Sequence, residues 1–316
     1  GRWWRRSGCR RVGRDGGGCG LRCVGVGSGQ WNEHGLAVVA ELADRVLDVP
    51  ERAVPAGNVP GEWYSPTQPF PTKPPPFDRQ GFSEDDLIDF TPEIKARALE
   101  AASQYRMGPI YTPPSLRDAP DGTQGTLSLP SSTGGANWES GAIDPETGMI
   151  YIGSATNLSV LSLVPGGDRS DMRYFAGGGR ASIAPGISIV KPPWGRITAL
   201  DLSTGEHAWT IVNGDTPGYV AERLDIDPSL IPRTGKPTRS GVLVTRTLVF
   251  HGEGGRGDPL LHAVNKATGE EIARIDLPGS QVGLPMTYMH DGRQYVLVAV
   301  SSGGQASELV ALALPL

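Results

Sequence analysis

Cysteine is absent from everything after residue 23 of this 316-residue chain. Cys9, Cys19 and Cys23 are the only thiols, so a disulfide framework or a four-thiolate metal site in the remaining body is excluded. Three thiols spaced x9 and x3, with His34 nearby, make a poor zinc set. There is also no run of about 18 apolar residues to span a bilayer as a helix. The N-terminus has arginines but no apolar stretch of signal-peptide type, and Gly1 leads to the expectation that the natural start is missing or altered.

Negative charge is in excess in the body. Residues 1–30 hold seven arginines and one aspartate, a local +6 within a net charge of −5, which leaves −11 for the rest. An acidic body has no basic stripe for phosphate backbones, which argues against nucleic acid as a partner and makes a small neutral substrate easier to accept. The glycines of Val24-Gly25-Val26-Gly27-Ser28-Gly29 lack the strand, helix and distant acid of a dinucleotide site. Residues 1–48 are therefore read as low-complexity, disordered or frame-shifted sequence.

What is present is turn chemistry. Gly 44 and Pro 28 make up roughly a quarter of the chain without a collagen period, while Val, Ile and Leu stay plentiful. Prolines from Pro50 to Pro76 exclude helix, and the interleaved Trp63, Tyr64, Phe70, Phe77 and Phe82 predict an ordered excursion packed on a surface. A helix is predicted over 91–106, with Thr91 as N-cap, Pro92 at N1, a buried stripe of Ile94, Ala98, Leu99 and Ala102, and Gly108-Pro109 as its stop. After Leu127 the pattern becomes short apolar runs between turns, among them Met149–Ile152, Arg196–Leu200, Val242–Phe250 and Tyr295–Val300, with no second helical period. The chain thus divides into 1–48, a Pro-rich excursion with one helix over 49–126, and strands over 127–316.

Three segments repeat: Ala142 to Gly148, Ala199 to Gly205 and Ala263 to Gly269, each Ala-x-Asp/Asn-x-x-Thr-Gly. The Asx side chain can bond the turn backbone and the glycine can take positive φ. Asp291-Gly292 marks a fourth hairpin. Recurrence at intervals of 57 and 64 residues suggests successive blades of a propeller, with 213–238 as an inserted loop.

The second repeat continues to Trp209, and Ala-x-Asp-x-x-Thr-Gly-x-x-x-Trp resembles the tryptophan-docking motif of quinoprotein dehydrogenases. Ile152 and Ala273 replace the tryptophan in the other two copies. Gly61-Glu62-Trp63-Tyr64-Ser65-Pro66-Thr67-Gln68-Pro69-Phe70, Tyr111-Thr112-Pro113-Pro114-Ser115, Trp194-Gly195-Arg196-Ile197-Thr198-Ala199-Leu200-Asp201 and Pro285-Met286-Thr287-Tyr288 are similar to the membrane-bound quinoprotein glucose dehydrogenase subgroup. The resemblance runs from about Val49 to Leu316. It implies an all-β fold, a partial eight-bladed β-propeller of about three to four blades, whose indoles stack between adjacent blades.

The resemblance implies more about function. Gly134-Gly135-Ala136-Asn137-Trp138 resembles the Gly-Gly-x-Asn-Trp stretch lining the family's cofactor pocket, so Gly134, Gly135, Asn137 and Trp138 are the candidate contacts to pyrroloquinoline quinone. An amide can donate to a quinone carbonyl or coordinate a cation; alternatively, the glycines form a strand-entry turn and Trp138 fills space between blades. The implied cofactors are this quinone and Ca2+ or Mg2+, the implied partners a sugar or alcohol, a quinone electron acceptor and the missing N-terminal half of the propeller. That half would bring the catalytic aspartate and most metal ligands, so the chain alone is expected to be inactive. The family's place is the periplasmic face of the inner membrane. A non-catalytic propeller scaffold of the cell envelope is the alternative. His207, His251, His262 and His290 lack metal-ligand spacing, and Asp225 and Asp227 read as a solvated loop. Arg256-Gly257-Asp258 is assigned no function.

Overall fold

The computed structural model describes residues 48–137, 141–169, 171–303 and 306–314. Residues from Arg45 onward belong to one compact unit. The expectations for residues 1–47, including the thiols, fall outside the described residues.

The excursion opens with a small hairpin, β1 (Glu51–Ala53) on β2 (Thr67–Pro69). It is no free tether, because Phe70, Phe82, Leu87 and Ile88 are buried. Helix α1 (Pro92–Ala102) follows, with the Thr91 side chain accepting from the Ile94 amide and Ile94, Ala98 and Ala102 buried, as the sequence predicts. It stops short of Gly108-Pro109. The Ser103 amide bonds to Glu100 in a tightened last turn and the chain leaves the helix there.

Short strands β3 (Ser115–Leu116) and β4 (Thr126–Ser128) lead into β5 (Ala142–Asp144) and β6 (Met149–Ala155). An insertion then carries β7 (Ser159–Pro165), β8 (Tyr174–Gly177), β9 (Ser182–Ala184) and β10 (Ile187–Ser188) before β11 (Gly195–Asp201) and β12 (Glu206–Val212). The ladder order β12-β11-β6-β5 makes one antiparallel sheet, and a second four-stranded sheet gathers β3, β4 and β8 on β7.

The Ala142 and Ala199 repeats are therefore the two hairpins of a single sheet, and the 57-residue spacing does not separate blades. The chain inserted between β6 and β11 stretches two halves of one sheet to a blade-like interval. All three repeats nevertheless form the predicted turn. Asp144, Asp201 and Asn265 each accept from the amide two residues on, and Gly148, Gly205 and Gly269 have φ near +70°.

The connection at 213–238 contains a six-residue helix, α2 (Tyr219–Leu224), which no periodicity announced. It precedes the next sheet, β13 (Val242–Val244), β14 (Leu248–Gly252), β15 (Leu260–Asn265) and β16 (Glu271–Asp276), in sequential order. The expected single run Val242–Phe250 is broken at Thr245 to Thr247, where the Thr245 amide bonds the Leu248 carbonyl in a hairpin turn. The last sheet sets β17 (Ser280–Gln281) and β18 (Met286–His290) on one side of β19 (Arg293–Ser301) and β20 (Glu308–Leu312) on the other. Asp291 and Gly292 turn the predicted fourth hairpin with φ of 50° and 74°.

Apolar layers join the sheets. Tyr151, Ile197 and Ala199 pack against Val242, Val249 and Val264, and Leu261 against Val298 and Val300. The three repeats converge here. Trp209 donates from Nε1 to the Lys266 carbonyl at 3.1 Å, Tyr151 Oη donates to the same oxygen at 3.2 Å, and Lys266 Nζ reaches Asp144 Oδ2 at 2.6 Å. A Cβ on Gly269 would lie 2.9 Å from the indole. The indole thus docks on the neighbouring sheet, with glycine needed for its close approach.

Candidate functional site

The segment after β4 turns at Ser131 to Gly134, where the Gly134 amide bonds the Ser131 carbonyl at 2.8 Å and Gly134 takes φ +73°. The Ala155 amide then donates to the Gly135 carbonyl at 2.8 Å, tying the loop to the end of β6. Asn137 is exposed, while Trp138, Glu139 and Ser140 lie outside the described residues.

Beneath Gly135 sits a residue that motif reading passed over. Asp78 is buried, and its Oδ1 accepts from the Arg79 amide at 2.9 Å, Thr156 Oγ1 at 2.8 Å and Arg196 Nη2 at 2.5 Å. Its Oδ2 has no hydrogen-bond partner among the described residues and lies 2.3 Å from where a Gly135 Cβ would stand. Gly135 is thus required by the carboxylate below it, and Gly134 by the turn. Neither glycine needs a planar ring as its explanation.

Charges crowd this point. Burial pulls the Arg79 pKa below the ordinary arginine value, and the neighbouring Arg196 adds to the pull against the attraction of Asp86 and Asp78. Arg79 donates to the Lys191 carbonyl. From the segment leading into the next sheet, Arg239 Nη2 reaches Thr133 Oγ1 at 2.9 Å and the Gly134 carbonyl at 3.2 Å. The loop before Asn137 lies over Asp78 and is held by the Ala155 amide and, from the side, by Arg239. A hint of the first contact was legible: Arg196 stands in the buried strand Gly195–Asp201, and a buried guanidinium demands a partner.

Thr156, which holds Asp78, also lines an open cleft of about 320 Å³ with Asn157, Arg180, Ser182, Trp194 and Tyr219. It begins one residue beyond the loop's anchor at Ala155.

The histidines lie elsewhere. His251 and His262 are buried and stacked at 4.9 Å, with His262 between Glu253 at 3.2 Å and Glu271 at 2.9 Å. Glu253 also pairs with Lys236 at 2.9 Å. His207 meets the Pro75 carbonyl at 2.9 Å, and His290 is exposed beside Asp291. Asp227 accepts from the Ser229 amide, and Asp225 ends α2 in the left-handed region. Among the described residues no group of three or more His, Cys, Asp or Glu is placed to hold a metal ion.

Comparison with known proteins decides the family. The model of the glucose/ethanol/alcohol dehydrogenase β-propeller domain that carries pyrroloquinoline quinone in its name matches residues 43–296. The chain belongs to this quinoprotein dehydrogenase family. It is 29% identical over 300 residues to the quinate/shikimate dehydrogenase (quinone) of Acinetobacter baylyi, covering 84% of this chain and 35% of that protein. It is 28% identical over 309 residues to the quinoprotein glucose dehydrogenase of Escherichia coli, covering 85% and 36%. The quinohemoprotein alcohol dehydrogenase structure from Comamonas testosteroni aligns with a TM-score of 0.37 at 26% identity, over 55% of this chain and 23% of that one. The quinoprotein chain therefore spans a little over a third of the length of its curated relatives. Its sheets are part of a β-propeller, all-β as the turn pattern foretold. No helix among the described residues is long and apolar enough to cross a membrane.

Proposed function

We propose that this chain supplies the C-terminal blades of a pyrroloquinoline quinone-dependent dehydrogenase that oxidises a hydroxyl of a sugar or alcohol and passes electrons to a quinone acceptor at the periplasmic face of the membrane. The observation that carries the reading is the pinned loop, in which the Ala155 amide and Arg239 hold Thr133 to Gly135 over Asp78 while Asn137 is exposed. An amide presented on a rigid support can orient a bound carbonyl group. The quinone, when bound, supplies the two-electron chemistry. Asn137 and Trp138 would hold it, while the carboxylate base and most ligands of Ca2+ or Mg2+ would come from chain outside these residues.

A scaffold would bury the loop between sheets, and the exposure of Asn137 favours the enzyme. The test is titration of the full chain with pyrroloquinoline quinone, followed by fluorescence quenching. Saturable binding that Asn137→Ala weakens about tenfold, the loss of one hydrogen bond to a charged or polarised group, is expected. Binding indifferent to that substitution, or none, overturns the assignment. The chain alone is expected to reduce no dye with glucose, quinone and Ca2+, and a rate above boiled control would refute the need for the other blades.

A further inference from the structure

A second cavity, of about 380 Å³, opens where the loop of the β1–β2 hairpin faces residues 110–114 and the end of β4. Glu62 is the one charged residue in its wall, and no Lys, Arg or His lines it. Glu62 Oε2 is buried with no hydrogen-bond partner among the described residues. The carboxylate packs directly on Gly57, where any Cβ would collide with it. Arg173, which stands against Gly61, donates to the Pro60 carbonyl at 3.3 Å and leaves Oε2 unpaired.

The rest of the wall has little to give an anion. Pro55, Pro113, Pro114 and Pro130 have no amide hydrogen. The aliphatic hydroxyls have spent theirs, because Thr112 Oγ1 donates to the Pro109 carbonyl at 2.6 Å and Ser128 Oγ to the Pro130 carbonyl at 3.2 Å. The Gln68 amide and the tyrosine hydroxyls remain as side-chain donors. Arg106, outside the lining, is committed to the Pro113 carbonyl at 3.0 Å and to Asn58 Oδ1 at 3.2 Å. What the wall does present is π surface. Tyr64 and Tyr111 line it, and Tyr111 takes φ of +73°, a left-handed conformation that strains a bulky residue. Its ring stands edge-on to Phe70 at 6.1 Å. Phe70 already carries a cation on its face, the Arg52 guanidinium 3.8 Å from its centroid.

We propose that this cavity binds a small organic ammonium ion, its charged head beside Glu62 and its alkyl groups against the tyrosine rings and prolines. An unpaired buried carboxylate is costly by itself, and a weakly hydrated cation offsets that cost while gaining from the π faces. The net negative charge of the body after residue 30 draws such ions towards it. A hard metal ion is a poorer occupant, since one carboxylate among prolines and tyrosines falls short of the roughly six to eight oxygens that Ca2+ gathers. The inference stands on this cavity and is independent of the dehydrogenase reading.

The experiment compares choline with neohexyl alcohol, in which an uncharged tert-butyl group replaces the trimethylammonium, as ligands of the full chain by ligand-observed NMR. Choline is expected to bind about tenfold tighter than the alcohol, and Glu62→Gln to abolish that advantage. Tyr64 is 40% exposed, so its ring can be changed with little harm to the fold; Tyr64→Leu should weaken choline about threefold while Tyr64→Phe keeps its affinity. Raising ionic strength from about 0.01 to about 0.15 M shortens the screening length from about 30 to about 8 Å and should weaken choline alone, a reading that needs no variant. Equal binding of the two ligands, or choline binding unchanged in Glu62→Gln, overturns the proposal. So does displacement of choline by Ca2+ at equal concentration, because it would make Glu62 a metal ligand.

Discussion

Trp209 and Gly269, on neighbouring sheets, share one space: the indole occupies the volume that a side chain at Gly269 would fill. The contact couples the two positions. Trp209→Ala should cost about 1–3 kcal/mol as the truncation of a half-buried ring, and Gly269→Ala should also destabilise, through both the clash and its φ of +73°. The double variant should cost clearly less than the two singles together, because the clash vanishes with the ring. Additive urea midpoints would show that the indole does not join the sheets.

The Asp78–Arg196 pair is buried on both sides. Replacing either partner alone, as Asp78→Asn or Arg196→Met, should cost about 3–5 kcal/mol by leaving an uncompensated buried group. The double replacement Asp78→Leu with Arg196→Met should be milder than either single change. Equilibrium denaturation decides it, and a double variant worse than both singles would mean the pair does more than neutralise itself.

Space under the candidate loop gives a local test. Gly135→Ala drives a Cβ to 2.3 Å from Asp78 Oδ2, whereas Gly178 has open space around it. Overpacking of this kind costs about 1–3 kcal/mol, against about 0.5 kcal/mol or less for an unconstrained surface site. Thermal melts of Gly135→Ala and Gly178→Ala should differ accordingly. Equal melts would count against the carboxylate lying beneath the loop.

Stability should fall on mild acidification. Burial, reinforced by the charge His262 can carry, pulls the His251 pKa from 6.5 down to about 3. The unfolded chain therefore takes the proton first, so the contribution of neutral His251 is complete above pH 6.5 and is lost as pH falls towards 3. Burial opposes the charge of Glu253, but hydrogen bonds from His262, Lys236 and the Asp258 amide prevail and hold its pKa at about 2 instead of 4.5. Its contribution is lost between those two values. Urea midpoints from pH 7 to 5 should decline in the parent and stay flatter in His251→Phe, whose ring keeps the stacking without the titration. Parallel profiles would remove His251 as the cause.

The turns were legible because their chemistry is local: Asp144, Asp201 and Asn265 bond backbone two residues away, and Gly148, Gly205 and Gly269 supply the φ that the turn demands. The docking role of Trp209 was implied only by the resemblance of its repeat to the family's tryptophan-docking motif. Sheet membership was not legible, since Tyr151 on β6 pairs with Ala199 on β11 across the whole insertion, and no local signal reports a pairing at that range. The same limit hid the site. Asp78 meets Arg196 across 118 positions and Arg239 meets Thr133 across 106. The Gly134-Gly135 motif drew attention to the right loop, but the reason for Gly135 is a carboxylate that only the folded chain brings there.

The insertion between β6 and β11 also has a consequence in time. The β5–β6 and β11–β12 hairpins can each zip up quickly on their own, on a scale of about 1–10 μs. Joining them requires closing a loop over residues 156–194, whose entropic cost precedes any reward from the ladder. Contacts so distant along the chain slow folding. Central pairing in this sheet is therefore expected to lag its two turns, and during that interval the Ile197 and Ala199 strand stands open to pairing with another chain.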